Sequence, residues 1–228
     1  MPDIMLKAEN VNKDHKRAGE IIRALINVNL EIYAGEVAVI QGPTACGKTT
    51  LLNVLSGLDM PDDGKVFLDG ENISRATEAR LSTIRRQKVG FVFQDFNLID
   101  ALTAEENVEA LLWPESLTSK DIEKRALAAL RDVNLLDRKD HSPRQLSGGE
   151  KQRVAVARAI IHQPRVLFAD EPTGNLDPES GNSLMDLLVK LNKDYKTTIV
   201  IVTHDEKIAQ KYGKKRIRMD KGAIISVN

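Results

Sequence analysis

The stretch Glu36–Ser56 limits what this chain can fold into more than any other. Val37 to Ile40 is a short, β-branched apolar run, the pattern of a buried strand. It breaks at Gly42-Pro43, and a helical pattern resumes from Lys48, with Leu51, Leu52 and Leu55 on one face and Gly57 as a stop. The turn between them is Gly42-Pro43-Thr44-Ala45-Cys46-Gly47-Lys48-Thr49, a full match to G-x-x-x-x-G-K-[ST], with Thr50 following. Such a strand–loop–helix turn surrounds a phosphate with backbone N–H groups and a helix N-terminus. Lys48 is placed to reach the β- and γ-phosphates of a nucleotide, and the Thr49 hydroxyl to ligate Mg²⁺.

Around this unit the pattern alternates between strands and helices. Ile26, Val28, Leu30 and Ile32 alternate with polar residues, the period of a half-buried strand. Residues 4–11 are expected as an edge strand and the polar residues 12–23 as a loop. Lys65–Leu68, Val89–Phe93, Val166–Ala169 and Thr198–Val202 read as strands, and Arg216–Val227 as a closing hairpin. Residues 76–87 and 179–193 read as helices. Residues 95–161 carry helical patterns only, at Ala104–Trp113, Ser119–Val133 and Gly149–His162. The expected fold is therefore α/β: a P-loop NTPase core with an antiparallel β subdomain and an inserted helical subdomain. The whole chain is one domain, with 1–94 and 162–228 as core and 95–161 as the insertion.

Basic and acidic residues balance at 33 each, which gives no electrostatic case for nucleic acid as a partner. No apolar run approaches the ~20 residues that span a bilayer. A single cysteine, Cys46, suits a reducing compartment.

Three apolar strands end in chemically useful residues, which a parallel sheet gathers along one crevice. Asp170 closes an apolar run and suits Mg²⁺; Glu171, pointing differently, suits the activation of a water. Gln94 and His204 end two further strands. Leu146-Ser147-Gly148-Gly149-Glu150-Lys151-Gln152 places paired glycines at a helix start, open to an anion.

That last stretch resembles the signature motif of the ATP-binding-cassette (ABC) ATPases. The other motifs of that family follow in order. Gly42–Thr49 resembles its Walker A, Gln94 its Q-loop, Val166–Asp170 its Walker B and Glu171 its catalytic glutamate. Gly174-Asn175-Leu176-Asp177 resembles its D-loop and His204 its switch histidine. The resemblance implies an ATPase using ATP and Mg²⁺. Two copies are expected to close head to tail, each ATP lying between Walker A of one and Ser147–Glu150 of the other, with Asp177 at the junction. Thr49, Gln94 and Asp170 would serve the metal. His15 stands where the family places an aromatic residue against adenine, and Ala45 and Cys46 stand where it has Gly and Ser.

Ile84–Arg86, Val89–Gln94, Phe96–Leu98, Leu102–Val108 and Ala169–Asp177 are similar to the lipoprotein-releasing and macrolide-export class, whose permeases work by mechanotransmission. That implies a cytoplasmic subunit, peripheral on the inner face of the membrane through an integral-membrane permease. A division-type ATPase that signals without transport, a solute importer, and a soluble ABC ATPase of DNA repair or translation are the alternatives. The last lacks support here, since neither heptads nor a second P-loop is visible. Phe96 and Leu98 are expected to line a groove for a short permease helix, or else to be core.

Overall fold

The computed structural model describes residues 3–17 and 20–228. The chain enters as a long antiparallel pair, β1 (Ile4–Arg17) and β2 (Glu20–Tyr33). After the turn at Ala34-Gly35 comes β3 (Val37–Gln41), then α1 (Lys48–Ser56). Next are β4 (Asp63–Leu68), β5 (Glu71–Asn72), α2 (Glu78–Lys88) and β6 (Val89–Val92). A helical stretch follows: α3 (Ala104–Glu109), α4 (Ser119–Asp132), two 3-10 turns at Leu136–Arg138 and Pro143–Gln145, and α5 (Gly148–Ile160). The chain closes with β7 (Val166–Asp170), α6 (Pro178–Tyr195), β8 (Thr198–Thr203), α7 (Glu206–Tyr212), β9 (Lys215–Asp220) and β10 (Ala223–Val227).

Two sheets result. The antiparallel sheet runs β2-β1-β4-β5, and the larger sheet runs β10-β9-β3-β8-β7-β6. In the larger one only β10 is antiparallel to its neighbour. Side chains alternate across it, as the two-residue strand period requires. Val37, Val39, Leu167, Ala169, Ile199 and Ile201 pack on the side of the helices α5, α6 and α7. Ala38, Ile40, Val166, Phe168, Val200 and Val202 pack on α1 and the antiparallel sheet. A strand buried on both faces reads as a continuous apolar run, which is why these segments stand out in the sequence.

The N-terminal hairpin departs from expectation. Residues 12–17 and 20–23 are strand, and β1 lies inside its sheet between β2 and β4. The register breaks between Ala8 and Val11 and again before Asp14. Asn10 and Asn27 sit at left-handed φ of 50° and 46°, tolerable for asparagine. The amides of Asn12 and Asn29 hydrogen-bond the backbone at these bulges. A bulge swaps the faces of a strand: Leu25 and Val28 are both buried, while Ile26 is exposed. Asp14–Lys16 and Glu20–Arg23 are exposed on both faces, the accessibility of a loop rather than of a half-buried strand.

Two smaller differences concern helices. α3 stops at Glu109, and residues 110–113 form turns before Pro114. α7 has no counterpart in the sequence reading; Asp205 caps it by accepting the N–H groups of Lys207 and Ile208.

Candidate functional site

The parallel strands bring their carboxyl ends together: Gln41 pairs with Thr203, Asp170 with Val202, and Val92 with Ala169. Each candidate therefore leaves the sheet beside its neighbour. The loop Gly42–Gly47 follows β3, Gln94 follows β6, Asp170 and Glu171 end β7, and His204 follows β8.

Gly47 caps α1 at φ 103°, and a Cβ there would meet the Ala24 carbonyl at 2.2 Å, so this position admits glycine alone. Among the described residues no side chain caps the helix, which leaves its first N–H groups open. Lys48 is buried, and its Nζ donates to the carbonyls of Gly42 at 2.9 Å and Pro43 at 2.8 Å. Thr44 and Ala45 lie exposed in the loop, and Ala45 holds a left-handed φ of 61°. Cys46 is buried, and its carbonyl accepts the N–H of Gly222, tying the loop to the β9–β10 turn. On α1, the Thr50 hydroxyl lies 3.4 Å from Nε2 of His15, which places β1 beside the loop.

The Thr49 hydroxyl donates to Oδ1 of Asp170 at 3.2 Å. Burial pushes the Asp170 carboxyl up, and the neighbouring Glu171 adds to this, while Thr49 and Lys48 act against it. Glu171 holds φ 46° and donates its N–H to the Val202 carbonyl at 2.9 Å. Its Oε2 lies 3.0 Å from Nδ1 of His204 and accepts the His204 N–H at 3.4 Å. The oxygen pair Thr49–Asp170 suits a hard cation. Among the described residues no three His, Cys, Asp or Glu side chains form a metal site by themselves. That matches Mg²⁺, which takes one or two protein oxygens and completes its shell with phosphate and water.

Gln94 is exposed, and its Nε2 donates to Oδ1 of Asn175 at 3.4 Å. Asn175 in turn donates to the Gln94 carbonyl and to Oδ1 of Asp95, both at 3.0 Å. Ser147 caps α5 in a reciprocal box with Glu150. The Ser147 backbone N–H holds the Glu150 carboxyl below its usual range, and Arg138 lies 3.1 Å from it. Gly148 and Gly149 face Leu176 and Ser180. Asp177 caps α6, accepting the N–H groups of Glu179 and Ser180. The candidates thus form two groups. His15, the loop, Asp170, Glu171 and His204 gather at the sheet, while Ser147–Glu150 sit with Asp177 at the α5–α6 corner. Among the described residues no hydrogen bond or ion pair joins Ser147–Glu150 to Gly42–Thr49.

Gln152 escaped the sequence reading as a functional residue in its own right. It is fully buried, and its Nε2 donates to the carbonyls of Phe93 and Pro172, each at 3.0 Å. The available signal was an uncharged amide on the apolar face of α5.

A glycine-rich loop opening a helix, with an acid pair and a histidine at adjoining parallel strand ends, defines a P-loop nucleotide hydrolase. The chain belongs to the ABC transporter family, whose model matches residues 25–174, and it is an ATPase. It is 45% identical over 224 residues to an ABC transporter ATP-binding protein of Methanocaldococcus jannaschii, covering 96% of this chain and 95% of that one. It is 41% identical to the lipoprotein-releasing system ATP-binding protein LolD 1 of Chlorobium chlorochromatii, covering 98% and 92%. Among solved structures, an ATP-binding cassette captured as a dimer in a post-hydrolysis state with ADP and phosphate superposes with a TM-score of 0.90. Identity there is 43%, and 98% of each chain is covered.

Proposed function

We propose that this chain is the ATP-hydrolysing motor of a transporter, that two copies close head to tail around two ATP molecules, and that a separate integral-membrane permease docks on it. The observation that carries the composite site is the glycine pair at the start of α5. A Cβ at Gly148 would stand 3.6 Å from Leu176, and one at Gly149 would stand 3.4 Å from Ser180, both ordinary contacts. Neither glycine has a left-handed φ. The chain's own fold therefore asks for neither, although glycine in a helix costs up to ~1 kcal/mol relative to alanine. Bare backbone at a helix N-terminus serves an anion that approaches from outside, the γ-phosphate held by the partner's loop.

In this reading Gly42–Thr50 cradle the phosphates, and Lys48 exchanges its two carbonyls for β- and γ-phosphate oxygens. Thr49, Asp170 and Gln94 would hold Mg²⁺, which neutralises charge on the phosphates when bound. Glu171 accepts a proton from water as that water attacks the γ-phosphorus. The bond to the β–γ bridging oxygen breaks, and ADP and inorganic phosphate leave. His204 orients Glu171 through the 3.0 Å contact. His15, beside α1, packs on the adenine. Ser147, Gly148, Gly149, Glu150 and Asp177 face the partner's nucleotide. Residues 95–161 move as a helical unit against the core, 1–94 and 162–228.

No helix among the described residues is long and apolar enough to cross a membrane, so membrane coupling falls to the permease. A cleft of about 530 Å³ lies between α2, β6 and the α3 region, with Leu58, Phe91, Phe93, Leu111 and Pro114 on its walls. It suits a short apolar helix. Phe96 and Leu98 do not line it; Leu98 packs on the helical core. The proposed docking surface is therefore this cleft, beside Phe96 and Leu98 rather than on them. Similarity to lipoprotein-releasing ATPases favours a permease of that class, with a lipoprotein, peptide or drug-like cargo.

Glu171→Gln tests the motor reading. The amide keeps the shape and loses the basicity, so turnover is expected to fall at least a hundredfold while MgATP holds a dimer on size exclusion. Wild-type turnover would contradict it.

A further inference from the structure

The cleft between α2, β6 and the α3 region has charged walls of one sign. Arg85, Arg86 and Arg158 line it among the apolar residues, and no aspartate or glutamate does. Two of these arginines are matched by carboxylates that do not line the cleft. Arg85 pairs with Glu78 and donates to the Gly57 carbonyl at 2.6 Å. Nε of Arg86 lies 3.2 Å from the Glu115 carboxylate. Arg158 differs: its two terminal nitrogens donate to the carbonyls of Asn97 at 2.5 Å and Phe96 at 2.9 Å, and among the described residues no carboxylate pairs with it.

A half-buried guanidinium without a counterion is costly. Arginine does not deprotonate in proteins, so the charge stays, and peptide carbonyls compensate it less than a carboxylate does. Burial pushes the Arg158 guanidinium below the ordinary arginine value, with no acid acting against that. His162, also on the wall, supplies no anion. Its Nε2 faces the Val89 carbonyl at 3.1 Å, and burial pushes its imidazole down, toward the neutral form. A guanidinium carries five N–H donors in one plane, and two carbonyls do not exhaust them.

We propose that the occupant of the cleft is a short cytoplasmic helix of the permease whose apolar face carries an aspartate or glutamate, and that this carboxylate pairs with Arg158. This rests on reading the cleft as the permease's docking surface. The apolar walls, Leu58, Phe91 and Leu111 among them, take the helix face, and the guanidinium takes the acid. An ion pair formed only on docking fixes the register of the helix, because a displaced carboxylate would be desolvated without a partner. It also selects against a lysine or arginine at that point, the residues in which cytoplasmic loops of membrane proteins are rich. An anionic bilayer surface matches the cleft less well than a single side chain. The chain carries 33 basic and 33 acidic residues, so no net positive charge presses it against lipid headgroups.

The test uses the full chain co-purified with its permease. Arg158→Lys keeps a cation and places a primary amine at the pairing position, which a carbodiimide joins to a carboxylate in direct contact. Mass spectrometry is expected to find that amine linked to one aspartate or glutamate in a cytoplasmic helix of the permease. A scan that converts each cytoplasmic aspartate and glutamate of the permease to its amide leaves this chain's own fold untouched. There the same residue is expected to lower co-purification at least about tenfold and to add no further loss to Arg158→Gln. A benzophenone side chain in place of Leu58 reports separately on what fills the cleft. If it captures the permease but no carboxylate is linked, or no amide in the scan weakens assembly, the inference is overturned and the docking reading stands. If it captures lipid, or no permease, the docking reading fails with it.

Discussion

The Nδ1 atom of His204 lies 3.0 Å from Oε2 of Glu171, and the His204 N–H points at the same oxygen. The two residues leave neighbouring strands, β8 and β7, and Glu171 sits at a left-handed φ of 46°. A carboxylate so held is aimed by its neighbour. His204→Ala is expected to lower kcat by about 10²-fold while ATP affinity measured by calorimetry changes little. Equal losses in affinity and turnover would place His204 in binding alone.

Asp170 gives a stability effect opposite in sign to its effect on activity. Burial raises its folded-state carboxyl pKa above that of the unfolded chain. Its favourable contribution is thus fully present below the unfolded carboxylate range and is lost as pH rises through the folded value. Asp170→Asn removes that charge. The nucleotide-free variant is expected to melt higher than wild type at pH 7, with the difference shrinking toward acid pH, and to lose Mg²⁺-dependent turnover. A variant that melts lower at pH 7 would mean that Thr49 and Lys48 outweigh burial.

Ala45 carries strain that glycine would not. A left-handed alanine costs ~1–2 kcal/mol, partly offset by the greater freedom of glycine in the unfolded chain. Ala45→Gly is expected to stabilise the protein by about 1 kcal/mol net, a rise of ~2–4 °C in Tm for a chain this size. An unchanged or lower Tm would show that the loop relaxes around alanine at no cost.

The central sheet and its loop were legible because their signals are local. Val37–Ile40, Val166–Ala169 and Thr198–Val202 are buried on both faces and read as unbroken apolar runs. Gly47 and Lys48 announce a turn whose chemistry lies within eight consecutive residues. The hairpin tip was not legible, since Asp14–Lys16 and Glu20–Arg23 face solvent and the bulges at Asn10 and Asn27 interrupt the period. Nor were the bonds of Arg158 and Gln152, which meet carbonyls about sixty residues away, contacts that only the tertiary fold creates. Phe96 and Leu98 drew notice as apolar residues. Their neighbours Phe93 and Asn97 line the cleft instead, and the chain passes between them at a left-handed φ on Phe96.

Leu58 is 45% exposed on the rim of the cleft, so a charge there spares the core. Leu58→Glu is expected to keep the ATPase activity of the isolated chain within about twofold. Co-purification with the permease is expected to fall at least tenfold, since a carboxylate would be buried unpaired at the contact. Normal assembly would put the docking surface elsewhere.

The central claim is that each ATP is held by two chains. It is tested by mixing Lys48→Ala with Gly149→Asp, each also carrying Glu171→Gln so that bound ATP persists. Neither variant alone has an intact site, for the first lacks the phosphate lysine and the second sets a carboxylate against the partner's γ-phosphate. The mixture contains one site built from an intact Gly42–Thr49 loop and an intact Ser147–Glu150. Size exclusion with light scattering in MgATP is expected to show monomers for each variant and a heterodimer for the mixture, with one ATP retained per dimer. A mixture that stays monomeric, as each variant does alone, would contradict the account.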